Sequence, residues 1–331
     1  MKKIRNVLFA ILVVIAVCMG CTAEAPVEES TPTPVASTRE GGIKDNRNIN
    51  VMIERSDDWK RFVTKPVVDE EFLKQIDGST ATIPVTAELY RQLYDYPDDK
   101  INNNVYHATT HQAYLNLINK EKDIIFVTEP SKEELKIAKK KGVKLDVVPF
   151  IKEAFVFIVN EKNPVDSLTV EQIQGVYTGE YKEWKELGDE NGEVIYPFQR
   201  DTNSGSQTAM EQLVMKDKKM IEPVKSERIS GMGMMLEVIA DYQNKPGAIG
   251  YTYKYYLNNL YLQEGVKILN IDGVEPNKEN ITNESYPFTT NYYMVIREDE
   301  PANSPARKLR DWLLTDEGQK VVEMCGYCRI N

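Results

Sequence analysis

Three times along this chain an apolar run gives way to a loop of small polar residues, and a helical pattern opens directly after the loop. The first loop is Gly78-Ser79-Thr80-Ala81-Thr82-Ile83-Pro84, with Pro84 at a first-turn position and Leu89 and Leu93 on the helix that follows. The second covers residues 104–109, where Thr109 and Gln112 have capping-box spacing ahead of the apolar stripe Tyr114, Leu117 and Ile118. The third follows Val194-Ile195-Tyr196. There Ser204 and Gln207 repeat the spacing, and Ala209, Met210, Leu213 and Val214 share one helical face. Strand, loop and helix in that order predict an α/β fold whose sites lie at the carboxyl ends of strands.

The third loop carries the clearest chemistry. A helix opening at Ser204 leaves the amides of Gly205, Ser206 and Gln207 free, and they converge with two hydroxyls just beyond the guanidinium of Arg200. Free N–H groups and a fork of donors suit a tetrahedral oxyanion. The chain as a whole is acidic, with formal net charge −10 and pI about 5.0, and has no basic block outside its N-terminus. Nucleic acid is therefore excluded as a partner, and an anion must be held by local dipoles and donors.

The remaining elements read in sequence. Residues 50–53 and 62–67 are weak strand candidates, residues 124–127 a short buried strand, and residues 132–141 a charged helix. Residues 147–159 form a long strand and 167–177 a helix ending near Gly179. Residues 292–296 form another strand, and residues 306–314 and 318–322 close the chain as helices. Trp184 and the methionines 232, 234 and 235 read as core or turn, and the tyrosines as half-buried surface. The pair Cys325 and Cys328 follows a helix instead of opening one, which leaves a short-loop disulfide or two unpaired thiols. With only His107 and His111 as histidines, a catalytic metal is not expected, nor is a cofactor.

Lys2, Lys3 and Arg5 precede an apolar run over residues 7–17, too short to span a membrane and of the length of a signal peptide core. Gly20-Cys21 after it resembles the lipobox of bacterial lipoproteins, although Cys18 stands where leucine is usual. That resemblance implies cleavage after residue 20 and a lipid on Cys21. Residues 22–48, with Pro26, Pro32 and Pro34 amid Glu, Ser, Thr and Gly, then read as a tether.

The order of motifs over residues 75–331 resembles the phosphate-binding lipoproteins that feed ABC phosphate importers. The residues that carry it are Gly78 to Pro84, Thr109-Thr110, Asp123 to Pro130, Asn163-Pro164-Val165, Leu168-Thr169, Trp184 to Gly188, Arg200 with Ser204-Gly205-Ser206, and Pro246 to Tyr251. The resemblance implies an α/β, two-lobe type II periplasmic-binding-protein fold with two crossing hinge strands, placed by the strand pattern at 154–160 and 288–294. The domains would be a signal peptide (1–20), a lipidated tether (21–48), lobe 1 (49–153 plus 289–331) and lobe 2 (154–288). Carried over by position, the ligand-binding residues would be Thr82, Ile83 through its amide, Thr109, Glu129, Arg200, Ser204, Gly205 and Ser206. Two departures stand out. Glu129 replaces the family's aspartate, which accepts the proton of hydrogen phosphate. Thr110-His111-Gln112 replaces a glycine-rich turn with bulkier residues, which would narrow the cleft.

The function implied is non-enzymatic: capture of inorganic phosphate by a monomer held by its lipid on the extracytoplasmic face of the cell membrane, and delivery to an ABC permease. A receptor or sensor for another small oxyanion or organic acid is the alternative. A hydrolase ranks last, because Ser204 has no histidine partner in the pattern.

Overall fold

The structure, a computed structural model, describes residues 59–190, 192–241 and 246–330. The apolar N-terminal run, Cys21, the tether and the strand expected at 50–53 lie outside the described residues. The described chain begins with β1 (Ile76–Gly78), α1 (Ile83–Tyr94), α2 (Asp98–Asn104), α3 (Thr110–Ile118), β2 (Ile124–Val127), α4 (Lys132–Lys140) and β3 (Leu145–Asn160). It continues through β4 (Ser167–Leu168), α5 (Val170–Thr178), β5 (Tyr196–Pro197), β6 (Gln199–Arg200), α6 (Gly205–Ala209), β7 (Arg228–Ile229), α7 (Met232–Ala240) and β8 (Ala248–Tyr253). The last elements are β9 (Val266–Ile268), β10 (Asn270–Ile271), α8 (Lys278–Thr282), β11 (Thr289–Arg297), α9 (Pro305–Leu313), α10 (Asp316–Met324) and β12 (Cys328–Arg329). No helix among the described residues is long and apolar enough to cross a membrane.

Local chemistry sets the boundaries. Ser131 caps α4 through a reciprocal box, its Oγ accepting from Glu134 N at 3.2 Å while Glu134 Oε2 accepts from Ser131 N at 2.7 Å. Thr169 and Gln172 do the same for α5, which stops at Gly179 in the left-handed region, φ 80°. The expected box at Thr109 and Gln112 does not form. Thr109 makes no side-chain cap, and Gln112 bonds Asn116 instead.

Eight of the described strands make one mixed sheet along the path β1-β2-β11-β3-β8-β5, with β12 and β9 also on β3. β3 joins the two halves. Its residues 145–154 pair antiparallel with β11, residues 155–159 with β8, and residues 158–160 with β9. β11 starts beside the same point, where Phe155 N donates to Phe288 O at 3.0 Å. β3 and β11 are the two crossing strands of a two-lobe α/β fold. The segment Ala154-Phe155-Val156-Phe157-Ile158-Val159 is fully buried, which accounts for its near-continuous apolar run. Each such side chain contributes about 1.5–3 kcal/mol of burial.

Two expectations fail here. Residues 62–67 are not a strand. Arg61 donates at 2.8 Å to the carbonyls of both Gln92 and Leu93, and Phe62 N donates to Gln92 Oε1 at 3.0 Å, so this segment seals the end of α1 without pairing. The tyrosines are core rather than surface: Tyr90, Tyr114, Tyr177, Tyr251, Tyr286, Tyr292 and Tyr327 are buried. Several buried hydroxyls find backbone acceptors, as Tyr114 does at Thr128 O, 2.8 Å, and Tyr255 at Cys325 O, 2.5 Å. Trp184 is core as expected, donating to Gly247 O at 2.9 Å. Cys325 and Cys328 are both buried, unpaired thiols.

Candidate anion-binding site

Three helix starts face one cavity of about 240 Å³. Its walls come from Ser79, Thr80 and Ala81 after β1; from Thr109, Thr110 and His111 at the start of α3; from Thr128 after β2; and from residues 200–206 across the cleft. Ser230, Met232, Tyr253, Tyr256 and Tyr292 complete the lining. The first amides of a helix lack intrahelical acceptors, so a space shared by several starts is rich in free N–H groups. At α6, Ser204 Oγ accepts from Gln207 N at 3.2 Å, which leaves the amides of Gly205 and Ser206 to the cavity.

Arg200 lies at the end of β6 and is 5% exposed. Its Nε donates to Ile229 O at 2.9 Å and an Nη donates to Ser230 O at 2.7 Å. Its backbone N–H is held by Gln207 Oε1 at 3.1 Å and the Tyr251 hydroxyl at 3.0 Å. Among the described residues no carboxylate forms an ion pair with it. Burial lowers its pKa from the ordinary value, yet a guanidinium stays charged in proteins. A buried cation held by carbonyls and lacking a counter-ion favours an anion in the space beside it.

The hydroxyls point the same way. Ser206 Oγ and Tyr292 Oη are buried at the cavity with no hydrogen-bond partner. Thr128 Oγ1 stands near the Tyr253 hydroxyl without completing a bond, while that hydroxyl donates to Gly205 O at 3.2 Å. Buried polar groups are nearly always satisfied, so orphans gathered around one cavity mark the place of a ligand. Burial raises the pKa of Tyr253, Tyr256 and Tyr292, which keeps all three as neutral donors.

The structure brings Thr109, Arg200, Ser204, Gly205 and Ser206 together at the cavity. It does not bring Thr82, Ile83 or Glu129 there, and each departure has a physical reason. A short 3₁₀ turn over Thr80–Thr82 folds Thr82 inward, where its hydroxyl lies 2.7 Å from Phe126 O and 2.9 Å from Ser79 O and donates between them. The Ile83 amide bonds Thr80 O inside that turn, so it has no free N–H for an anion. Ser79, Thr80 and Ala81 take their place. Glu129 is exposed: β2 ends at Val127, the chain bends at Thr128, and Thr128 rather than Glu129 lines the cavity.

Sequence reasoning missed Thr128, the three tyrosines and Met232 as lining. Thr128 lies in the bend directly after β2, at the carboxyl end of a strand, where the loop pattern already places sites. No local signal marks Tyr253 or Tyr292, which reach the site only because β8 and β11 flank β3. Among the described residues, no group of His, Cys, Asp and Glu is placed to hold a metal ion.

The chain is 26% identical over 271 residues to phosphate-binding protein PstS of Borreliella burgdorferi, covering 79% of this chain and 91% of the relative. It is 26% identical to phosphate-binding protein PstS of Staphylococcus epidermidis, covering 76% of this chain and 77% of the relative. A Clostridium perfringens protein described as a phosphate ABC transporter substrate-binding protein, solved with bound phosphate, superposes with TM-score 0.59 at 26% identity. That match covers 77% of this chain and 98% of the other. An ABC-type phosphate transport receptor from Vibrio cholerae shares the fold, with TM-score 0.55 at 20% identity, over 76% of this chain and 98% of its own. These solved neighbours have the two-lobe type II periplasmic-binding-protein fold. The PBP superfamily domain spans residues 33–317, and the chain belongs to the PBP superfamily.

Proposed function

We propose that this chain is an extracytoplasmic solute receptor that captures inorganic phosphate between its lobes and delivers it to an ABC permease, without chemical conversion. The observation that carries the reading is Arg200, buried and in no ion pair, beside the orphan hydroxyls of Ser206 and Tyr292. The names of its relatives support phosphate as the anion. In this reading lobe 1 is residues 49–153 plus 289–331 and lobe 2 is residues 154–288, in keeping with the change of partner along β3 between Ala154 and Phe155. Thr109, Arg200, Ser204, Gly205 and Ser206 contact the anion, joined by Ser79, Thr80, Thr128 and Tyr292. The receptor acts as a monomer. A lipid on Cys21 holds it at the membrane, which the lipobox-like Gly20-Cys21 and the polar tether support. Detergent partition of wild type against Cys21→Ser checks the anchor, and equal partition of the two forms removes it.

Calorimetric titration with inorganic phosphate tests the capture. The wild type is expected to bind, and Arg200→Ala to lose at least about 2 kcal/mol, the scale of a charge-assisted hydrogen bond in a dry site. A folded Arg200→Ala variant with unchanged affinity would take Arg200 out of the site. A small organic acid is the second reading, favoured by Met232 and the Tyr256 ring on one wall, and it predicts binding of such acids but not of phosphate.

A further inference from the structure

The wall built by α3 and α4 carries a pair that the proposed function leaves unused. His111 borders the cavity, and its Nδ1 lies 2.9 Å from Oε1 of Glu134 on α4. The Glu134 side chain is 1% exposed, that of His111 33%. The carboxylate is fixed from its other side, since Oε2 accepts from Ser131 N at 2.7 Å as part of the cap of α4. A charged carboxylate only accepts, so with Glu134 ionised the hydrogen of this contact is on Nδ1 of His111. In the neutral ring Nε2 is then the acceptor of a residue that lines the cavity.

We propose that His111, oriented by Glu134, contacts the bound anion and accepts at Nε2 the hydrogen of a singly protonated oxyanion, and so separates hydrogen phosphate from sulfate. This rests on the phosphate reading above. A ligand that carries a proton gains a hydrogen bond at Nε2. One without a proton sets its own lone pairs against that nitrogen. Glu129 was the residue expected to do this work, and it lies outside the cavity. Asp201 is the one carboxylate that lines the cavity among the described residues and is the rival acceptor. Glu134 of α4 lies beside the His111 ring, and the charged and titratable groups that share the cavity with it are Arg200, Asp201 and the phenols of Tyr253, Tyr256 and Tyr292.

The chain has two histidines, and His107 is buried between Ser79 O at 2.9 Å and Thr86 Oγ1 at 3.0 Å, so the imidazole nitrogens can be assigned. The test titrates inorganic phosphate and sulfate into the intact chain, His111→Phe and Asp201→Asn, and follows the imidazole ¹⁵N resonances of the wild type. The phosphate-to-sulfate affinity ratio is expected to fall about tenfold or more in His111→Phe, the worth of one hydrogen bond, and to hold in Asp201→Asn. The wild-type Nε2 resonance of His111 should move with phosphate and stay with sulfate. An unchanged ratio in His111→Phe, or a collapse in Asp201→Asn alone, overturns the inference. An Nε2 resonance indifferent to bound phosphate does so too, even where a variant fails to fold. If the wild type takes no phosphate at all, the proposed function falls first and this inference with it.

Discussion

Thr109 is held at φ 78°, ψ 163°, where a β-branched side chain crowds its own backbone. Such a residue costs about 1–3 kcal/mol and persists only where its neighbours force it. Here Ala108 N donates to Asp77 Oδ1 at 2.7 Å, Asn116 bonds the other Asp77 oxygen at 2.7 Å, and Ala113 N closes on Thr109 O at 2.9 Å. The buried Asp77 thus ties the end of β1 to the start of α3 and fixes two cavity walls together. Two substitutions separate strain from chemistry. Thr109→Ala removes the hydroxyl and keeps the strain, whereas Thr109→Gly removes both, less about 0.5–1 kcal/mol of unfolded-chain entropy. Thermal denaturation should place Thr109→Gly above Thr109→Ala, while titration shows both binding phosphate more weakly than wild type. If glycine is no more stable than alanine, the backbone there is not strained.

Among the elements, β3 holds the lobes together and also carries a buried acid where they meet. Glu153 pairs with Thr290 on β11 and is 4% exposed. Its Oε1 accepts from Ala154 N at 2.8 Å and from Tyr255 N at 3.3 Å. Burial pushes its carboxyl up to about 7 from 4.5, against those two hydrogen bonds. The folded state then binds more protons than the unfolded state between those values. Stability must therefore fall as pH rises from about 4.5 to about 7 and level off above that. The loss is on the order of 3 kcal/mol at most. Glu153→Gln keeps the acceptor oxygen and removes the charge, so urea unfolding at pH 8 should show it more stable than wild type, with the difference vanishing near pH 4.5. Equal stability at both pH values would mean that water reaches the carboxylate.

The same elements show what the sequence could reveal. β2, β3 and α4 were legible because each writes its burial or its cap into adjacent residues. Arg200 and Ser204 to Ser206 were legible because one strand end and one helix start place them. Thr82 and Ile83 misled because a 3₁₀ turn, which their spacing does not announce, rotates them inward. Glu129 misled because the chain bends at Thr128 and leaves Glu129 exposed. The tyrosine core was invisible because a tyrosine's burial depends on backbone acceptors in distant segments, as Tyr327 with Ala81 shows.

At the scale of the whole molecule, Gly205 sets one lobe against the other beside the cavity. A Cβ on Gly205 would stand 2.6 Å from Thr128 Oγ1 and 2.9 Å from Thr110 Oγ1, both across the cleft. Two polar contacts flank this point: Asn203 Nδ2 donates to Glu133 Oε2 at 2.5 Å and Gln212 Nε2 donates to Pro130 O at 3.2 Å. Gly205 also opens α6, so its amide reaches the cavity only when its Cα lies against the opposite wall. Glycine is required by this close approach rather than by a special φ, since Gly205 is not among the positive-φ residues. A larger residue here should leave each lobe's own core intact and hold the lobes apart. We expect Gly205→Val to remain folded, because the clash falls between the lobes and not within either core. It should nevertheless lose most of its phosphate affinity. Small-angle scattering gives the second measurement: wild type should contract when phosphate is added, and Gly205→Val should not. A variant that contracts and binds like wild type would mean that the helix start need not touch the far wall, and that the anion is held by Arg200 and its own lobe alone.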